Sequence, residues 1–413
     1  MKILFVSTDF PYPPNNGVRI KLYHALRLVS SKNQTALVAL VDNPAEIQDE
    51  QIRHIKTFCS DVTVVSLPRR SRLAIAFLAL VRGHLFFMER YRDKSFCDIL
   101  KKLIQTWSPD ILHLDTISLS QYGKDFDVPI ATVLSANDSY ALNLENEIRH
   151  WPYLHFWQGL YRMSQYFPAR WHETKVYPQF DVCHFVSSVD GGYITKLNPL
   201  TNVVVIPNGV DINYFRPPKS INKSAFNSAI YVGNVEGMCL TYLERFLEKT
   251  WRRVRKEVPG AKLNIVGKNP ANSLKKLAAD IGGISLKGYV KDLNSAYTES
   301  LISVVPVRKN CGIINKALES MAMGLIVVGF KEIYQGIPGT EHNVNCISAD
   351  SYENLAIEIV KIFMHPEKAN IIRQSARDLM EKRYSWESLS DDFCNMYSEA
   401  LKRQRHKNCH VSF

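Results

Sequence analysis

The sequence predicts an α/β protein built of two doubly wound, parallel-sheet domains in tandem. Three observations lead there. Short apolar runs alternate with longer amphipathic ones, the alternation restarts after residue 217, and 413 residues exceed what one ordinary core accommodates. With 46% apolar and 22% charged residues, the composition is that of a folded globular chain and excludes wholesale disorder.

Residues 1–10 (MKILFVSTDF) read as a strand, because the apolar run Ile3–Val6 after Lys2 is too short for a signal segment and suits a buried strand. The stretch 18–31 has helical spacing, and strands follow at 35–41 (TALVALV) and 61–67 (DVTVVSL). A helix over 93–106 leads to strands at 110–115 (DILHLD) and 129–135 (PIATVLS). A long helix over 153–178 leads to the strand-like VCHFVSS at 182–188. The longest apolar run, Leu73–Val81, is too short to span a bilayer. Flanked by Arg69, Arg70, Arg72 and Arg82, it reads either as an amphipathic helix lying on anionic lipid or as an ordinary helix packed on a sheet.

Asn-Gly and Pro-Pro punctuation over 207–218 marks the boundary between the domains. Beyond it, strands at 229–235, 262–268, 284–290, 303–307 and 325–330 alternate with helices at 240–257, 272–281, 292–299 and 313–323. The basic tail 402–407 (KRQRHK) reads as mobile.

The 51 Lys and Arg against 40 Asp and Glu leave a formal charge of +11, which favours anionic partners. The basic residues are dispersed and not interleaved with aromatics in a stripe, so nucleic acid is not an expected partner. The eight cysteines form no CxxC and no zinc-spaced cluster with histidine, which points to reduced thiols, a cytoplasmic setting and no metal.

Ligands bind at the carboxyl ends of parallel strands, so two such domains facing one another place a site in the cleft between them. After the first strand, Gly17 opens a helix where backbone can approach an anion, and Arg19 falls in its first turn. The richer stretch is 308–324, where a strand gives way to Arg308-Lys309-Asn310-Cys311-Gly312 and then a helix. Gly312 near the helix start makes an anion cradle with the free N–H groups there. Lys316 and Glu319, three apart, share one face of that helix. Glu319 is placed to accept hydrogen bonds from paired hydroxyls such as a ribose diol, but spacing alone favours a solvated ion pair with Lys316. Asp138, following a strand, reads as a carboxylate for an acceptor hydroxyl or as a helix cap. His113 within a strand reads as a packed core histidine.

The run VVPVRKNCGIINKALESMAMGLIVVGF resembles the donor-site region of family-4 glycosyltransferases of GT-B fold. FPYPPNNGVRIKLYHAL, PDILHLD, VIPNGVDINYFRP, YVGNV, LNIVGK, LKGYVKDL and RYSWE are similar to further pieces of that family, in the same order, from residue 1 to about 397. The N-terminal loop and ANDSYAL most resemble bacterial sugar transferases of exopolysaccharide systems. The resemblance implies two tandem Rossmann-like domains: 1–199 on the acceptor side, 200–385 binding a nucleotide sugar, and 386–413 as a C-terminal helix packing back on the first domain plus a basic tail. It implies a retaining, metal-independent hexosyl transfer from a nucleotide sugar, a substrate and not a cofactor, to a hydroxyl of a glycan, glycolipid or small molecule. Peripheral contact with an anionic membrane at its inner face belongs to the same expectation.

Residue by residue, the resemblance implies that Glu319 holds the ribose and that Lys316, helped by Arg308, neutralises the diphosphate. Gly312, Ile313, Ile314 and Asn315 would offer backbone to phosphate or sugar oxygens. Tyr289 and Val290 would lie along the base, with Gly233 and Asn234 on the phosphate side and Gly17 and Arg19 contributing from the first domain. Asp138 would act in catalysis. Two departures stand out: Cys311 occupies a position that is acidic in many relatives, and Asn234–Met238 lacks their Arg and Lys. A nucleotide-sugar epimerase of the same fold and a non-catalytic nucleotide-binding subunit are the alternative readings.

Overall fold

The structure is a computed structural model describing residues 1–123, 129–149, 156–218, 225, 227–308 and 311–411. It divides into two compact units, one running up to Pro207 and resumed from Leu389, the other spanning Asn208–Ser388.

The first unit holds seven strands: β1 (Lys2–Ser7), β2 (Gln34–Val41), β3 (Asp61–Ser66), β4 (Ile111–Asp115), β5 (Ala131–Asn137), β6 (Val182–Phe185) and β7 (Val203–Val205). They pair in parallel in the order β3-β2-β1-β4-β5-β6-β7. Central strands such as β1 and β4 are buried along nearly their whole length, as expected of parallel strands covered on both faces. The expected helix over 153–178 runs Phe156–Lys175, its first residues lying outside the described ones. The tail expected to be mobile continues as helix within Ser390–Val411, so the reading of 402–407 as mobile is corrected. That helix is fastened to the sheet, where the Tyr397 hydroxyl bonds His113 Nδ1 at 2.8 Å. Burial holds His113 well below the usual imidazole range, so it is the neutral core histidine its position in a strand implied.

The second unit holds β8 (Ser228–Val232), β9 (Lys262–Val266), β10 (Ile284–Gly288), β11 (Ile302–Val305), β12 (Ile326–Phe330) and β13 (Ile347–Ala349). They too are parallel, in the order β10-β9-β8-β11-β12-β13. The segment Asn208–Phe215 is anchored within this unit. Val210 N–H donates to the Tyr384 carbonyl at 2.7 Å, and a Cβ on Gly209 would collide with the Trp386 ring. Arg377 donates to the carbonyls of Ile212, Phe215 and Ala322, tying this segment to the end of the helix Asn315–Ala322. The sequence pieces VIPNGVD and RYSWE therefore meet in space.

In the first unit a buried cation fastens the strand ends. Lys21, on the helix Gly17–Ser30, donates to Asp115 Oδ1 at 2.7 Å, to Ser135 Oγ at 2.6 Å and to Asn137 Oδ1. Burial, reinforced by the Lys21 charge, pushes His184 down to about 3. Neutral His184 therefore donates through Nε2 to the Ile206 carbonyl at 2.9 Å and accepts the Ser135 hydroxyl at Nδ1 at 2.7 Å. The chain of bonds links the ends of β4, β5 and β6. Removing one partner of a buried ion pair strands the other charge, at a cost of about 3–5 kcal/mol. Lys21→Met is expected to destabilise the protein on that order, read as a lowered midpoint in urea denaturation.

Candidate active site

The strand order of the second sheet reverses between β8 and β11. At such a reversal the segments leaving adjacent carboxyl ends diverge and open a crevice. β8 departs through Gly233 and Asn234. β11 departs towards Arg308, Cys311 and Gly312 and then the helix Asn315–Ala322. Lys309 and Asn310 lie outside the described residues.

Gly312 turns with φ of +63°, a conformation that favours glycine. Ile314 occupies the helix cap position with no side-chain capping bond, and the first turn carries no acid. Its N–H groups thus favour an anion. Asn315 Oδ1 accepts from Asn208 Nδ2 at 2.9 Å, which pins the first residue of the helix. Ala317 and Met321 are fully buried, while Ile313 and Ile314 pack at the margin of the same core. At the far end Gly324 (φ +65°) closes a Schellman turn, with Leu325 N–H reaching the Ser320 carbonyl at 2.9 Å.

The helix carries Lys316 across to β8. A Cβ on Gly233 would collide with the Lys316 ammonium, and the same ammonium lies 5.8 Å from the Tyr231 ring centroid. Gly233 is therefore glycine because Lys316 occupies the space where a side chain would start. The Tyr231 hydroxyl donates at 2.7 Å to the Asn234 carbonyl, holding the turn after β8. One turn further along the helix, Glu319 Oε2 accepts the Tyr297 hydroxyl at 3.2 Å. Burial lowers Lys316 from the usual lysine range, partly offset by neighbouring Cys239 and Glu319. Burial raises Glu319, partly offset by the Tyr297 hydrogen bond and the Lys316 charge. Among the described residues no salt bridge joins Lys316 to Glu319, so the solvated ion pair that spacing alone allowed is not what forms.

Arg308 is engaged elsewhere. Its Nη1 bonds Glu332 Oε1 at 3.2 Å, its Nη2 donates to the Asp350 carbonyl, and its guanidinium stacks 4.1 Å from the Phe330 ring centroid. Asn234 Oδ1 accepts Glu236 N–H at 3.0 Å. Tyr289 is exposed beside β10 with Lys268 Nζ 4.7 Å above its ring, whereas Val290 packs on the core.

The residues singled out in the first unit are organised separately. Gly17 begins its helix with Asn16 as cap, accepting Arg19 N–H at 3.0 Å. The Arg19 guanidinium bonds Asp9 at 2.9 Å. Asp138 follows β5, but Ser139 caps the helix Tyr140–Arg149, accepting Leu142 N–H at 3.1 Å. Ser139 in turn donates to the buried carboxylates Asp190 (N–H, 2.8 Å) and Glu173 (Oγ, 2.9 Å).

Tyr231, Tyr297 and Asn208 were not anticipated. Tyr231 stands two residues before Gly233, hence on the same strand face, and that periodicity was a usable signal. Tyr297 carries no comparable mark, since its partner is 22 residues away.

Two family models match in tandem: Glycosyltransferase Family 4 over residues 52–214 and Glycosyl transferases group 1 over residues 227–365. The chain belongs to the group 1 glycosyltransferases of GT-B fold. Among solved structures, sucrose-phosphate synthase from Thermosynechococcus elongatus aligns with TM-score 0.71 at 12% identity, covering 97% of this chain and 99% of that one. Anabaena HepE in complex with UDP aligns with TM-score 0.65 at 13% identity, covering 96% and 100%. A Rickettsia africae glycosyltransferase gives TM-score 0.66 at 14% identity, covering 97% and 98%. At these identities the structural likeness speaks for the GT-B fold alone. A search of curated proteins found no match. In this glycosyltransferase the second family model spans the whole of the Gly233–Lys316–Glu319 constellation.

The Asp138 segment yields a pH test. Burial pushes the Glu173 carboxyl from an ordinary 4.5 up to about 8. Between those values the folded state keeps a proton that the unfolded chain has released, so stability falls as pH rises through that window. Glu173→Gln, neutral throughout, is expected to flatten the dependence, so that its Tm relative to wild type increases steadily from pH 5 to 8.

Proposed function

We propose that this glycosyltransferase moves a hexosyl group from a nucleoside-diphosphate sugar to an acceptor hydroxyl of a glycan or lipid-linked molecule, with retention and without a metal. One observation carries the reading: a partly buried lysine ammonium, unpaired by any described carboxylate, stands beside an uncapped helix start at the strand-order reversal. Those positive groups suit a diphosphate, and in a poorly solvated site they act strongly on the charge that builds on the leaving phosphate.

In this account Lys316 and the N–H groups of Gly312 to Asn315 take the phosphates, next to Gly233 and Asn234. Glu319, oriented by Tyr297, accepts from the ribose diol. Tyr289 and Val290 flank the base. Arg308 joins the phosphate set by exchanging Glu332 for the anion. On the acceptor side, Asp138 orients the attacking hydroxyl or stabilises positive charge on the sugar, with Arg19 and the Gly17 helix start close in sequence to that unit's first strand. The hydroxyl oxygen attacks the anomeric carbon on the face from which the diphosphate departs, and the hydroxyl proton leaves with the phosphate.

Lys316→Ala is expected to lower kcat/KM about 10²–10³-fold, the scale for losing one charge-stabilising donor. Activity near wild type would remove Lys316 from the mechanism. Glu319→Ala is expected to weaken nucleotide binding about 10- to 100-fold by calorimetry, in line with hydrogen bonds made by a charged group. Incubation with the nucleotide sugar and no acceptor separates the readings, because an epimerase converts the sugar while a transferase leaves it or hydrolyses it slowly. Nucleotide binding with no transfer to any acceptor would instead indicate a binding subunit.

A further inference from the structure

Two helices of the first unit turn apolar residues to solvent. On Arg72–Arg82, Leu73, Phe77 and Leu80 are exposed and the buried residue is Ala79, so the reading of this segment as an ordinary helix packed on a sheet by its apolar face is corrected. On Phe156–Lys175 the pattern is longer and more regular. Trp157, Leu160, Ser164, Phe167, Trp171 and Thr174 are spaced alternately by three and four residues and fall within about 100° of helical arc. That is the a/d seam of a coiled coil, kept over nearly the whole helix. The opposite face is already committed. Gln165 accepts Phe86 N–H at 3.2 Å, His172 Nε2 bonds Ser120 Oγ at 2.8 Å, and Glu173 accepts the Ser139 hydroxyl at 2.9 Å. The helix is thus fixed to its unit with the seam outward, Trp157 being 77% exposed, Phe167 68% and Trp171 55%.

A seam of this spacing reads the same in both directions, so it can pack against itself around a two-fold axis. In the antiparallel register Ser164 lies opposite the partner's Phe167, Leu160 opposite the partner's Trp171 and Trp157 opposite the partner's Thr174. Each layer then joins a larger side chain to a smaller one, the combination that fills the space between facing helices. Two such stripes bury on the order of 1,000–1,400 Å² in all, at about 150–250 Å² for each aromatic scaled by its exposure, which reaches the ~1,000 Å² of a specific interface. Charge selects the direction. A parallel pair would set Arg170 beside the partner's Lys175 on the flank, whereas the antiparallel pair sets Arg170 beside the partner's Met163. Backbone chemistry selects the occupant. Pro168 has no N–H to give the Ser164 carbonyl, and the antiparallel register brings the partner's Tyr161, a hydroxyl donor, to that flank. An acyl chain has no donor to offer there.

We infer that the helix Phe156–Lys175 is a dimer interface, pairing antiparallel with the same helix of a second copy of this chain. The inference stands on these residues apart from the nucleotide site and does not depend on the transfer reading above.

Sedimentation equilibrium of the full chain over a concentration series tests it. Wild type is expected to pass from monomer to dimer in the micromolar range, as suits an interface at the small end of the specific ones. Leu160→Glu/Phe167→Glu, at exposed positions, should raise the dissociation constant at least about 100-fold by removing the centre of the seam, with unchanged far-ultraviolet circular dichroism. Phe77→Ser, on the other exposed helix, should dimerise as wild type does. Cysteine cross-linking then reads the register. Leu160→Cys and Trp171→Cys should link when mixed and oxidised, and neither to itself, because the antiparallel pair sets like residues about 16 Å apart along the axis. Wild type that stays monomeric up to roughly 100 µM would overturn the proposal, as would a dimer that Leu160→Glu/Phe167→Glu leaves intact or that Phe77→Ser breaks. Linking of each cysteine variant to itself and not to the other would overturn the antiparallel pairing. A monomer that co-sediments with lipid vesicles and is released by Leu160→Glu/Phe167→Glu would assign the seam to a bilayer and overturn the second copy.

Discussion

The ammonium of Lys316 resists burial, because water solvates a cation better than any protein interior. Here it is nonetheless drawn from the start of a helix on to β8, and the surroundings are consistent with that requirement. Gly233 lacks the carbon that would block it, the Tyr231 ring lies beside it, and the Tyr231 hydroxyl fixes the turn that follows. Asn208 and Arg377 hold the two ends of the helix that carries it. Such an arrangement lowers the affinity of Lys316 for its proton, with Cys239 and Glu319 offsetting part of the effect, and leaves the ammonium without a salt-bridged carboxylate among the described residues.

Much of the fold was legible because parallel strands buried on both faces appear as uninterrupted apolar runs, as in Ile3–Val6 and Ile326–Phe330. Some of what escaped was short. The helix Asp49–Lys56 buries only Ile55, and β7 and β13 are three residues each, too brief for any period to register. The helices Tyr352–Met364 and Ala369–Leu379, beyond the last anticipated strand, were not assigned either.

The site was legible to the extent that chemistry was local in sequence. Lys316, Glu319 and Gly312 lie within one short stretch, and spacing placed the first two on one face. Spacing could not tell an ion pair from two separately directed groups, since that difference is set by Gly233 and Tyr297. Arg308 shows the opposite limit: its type suits phosphate, but its charge is balanced by Glu332, 24 residues on, in a contact no local pattern discloses. The exposed faces of Arg72–Arg82 and Phe156–Lys175 were half visible, because amphipathicity reveals that a helix has two faces and not which of them meets solvent.

In the proposed function Lys316 and Glu319 form one clamp for a nucleoside diphosphate. A crystal structure of the protein with UDP or GDP tests it most directly. The account predicts a phosphate oxygen within hydrogen-bond reach of Lys316 Nζ, about 2.7–3.2 Å, and the ribose diol on the Glu319 carboxylate in the same molecule. A nucleotide bound with its phosphates away from the Gly233–Lys316 crevice, or with Lys316 turned to Glu319, would contradict it.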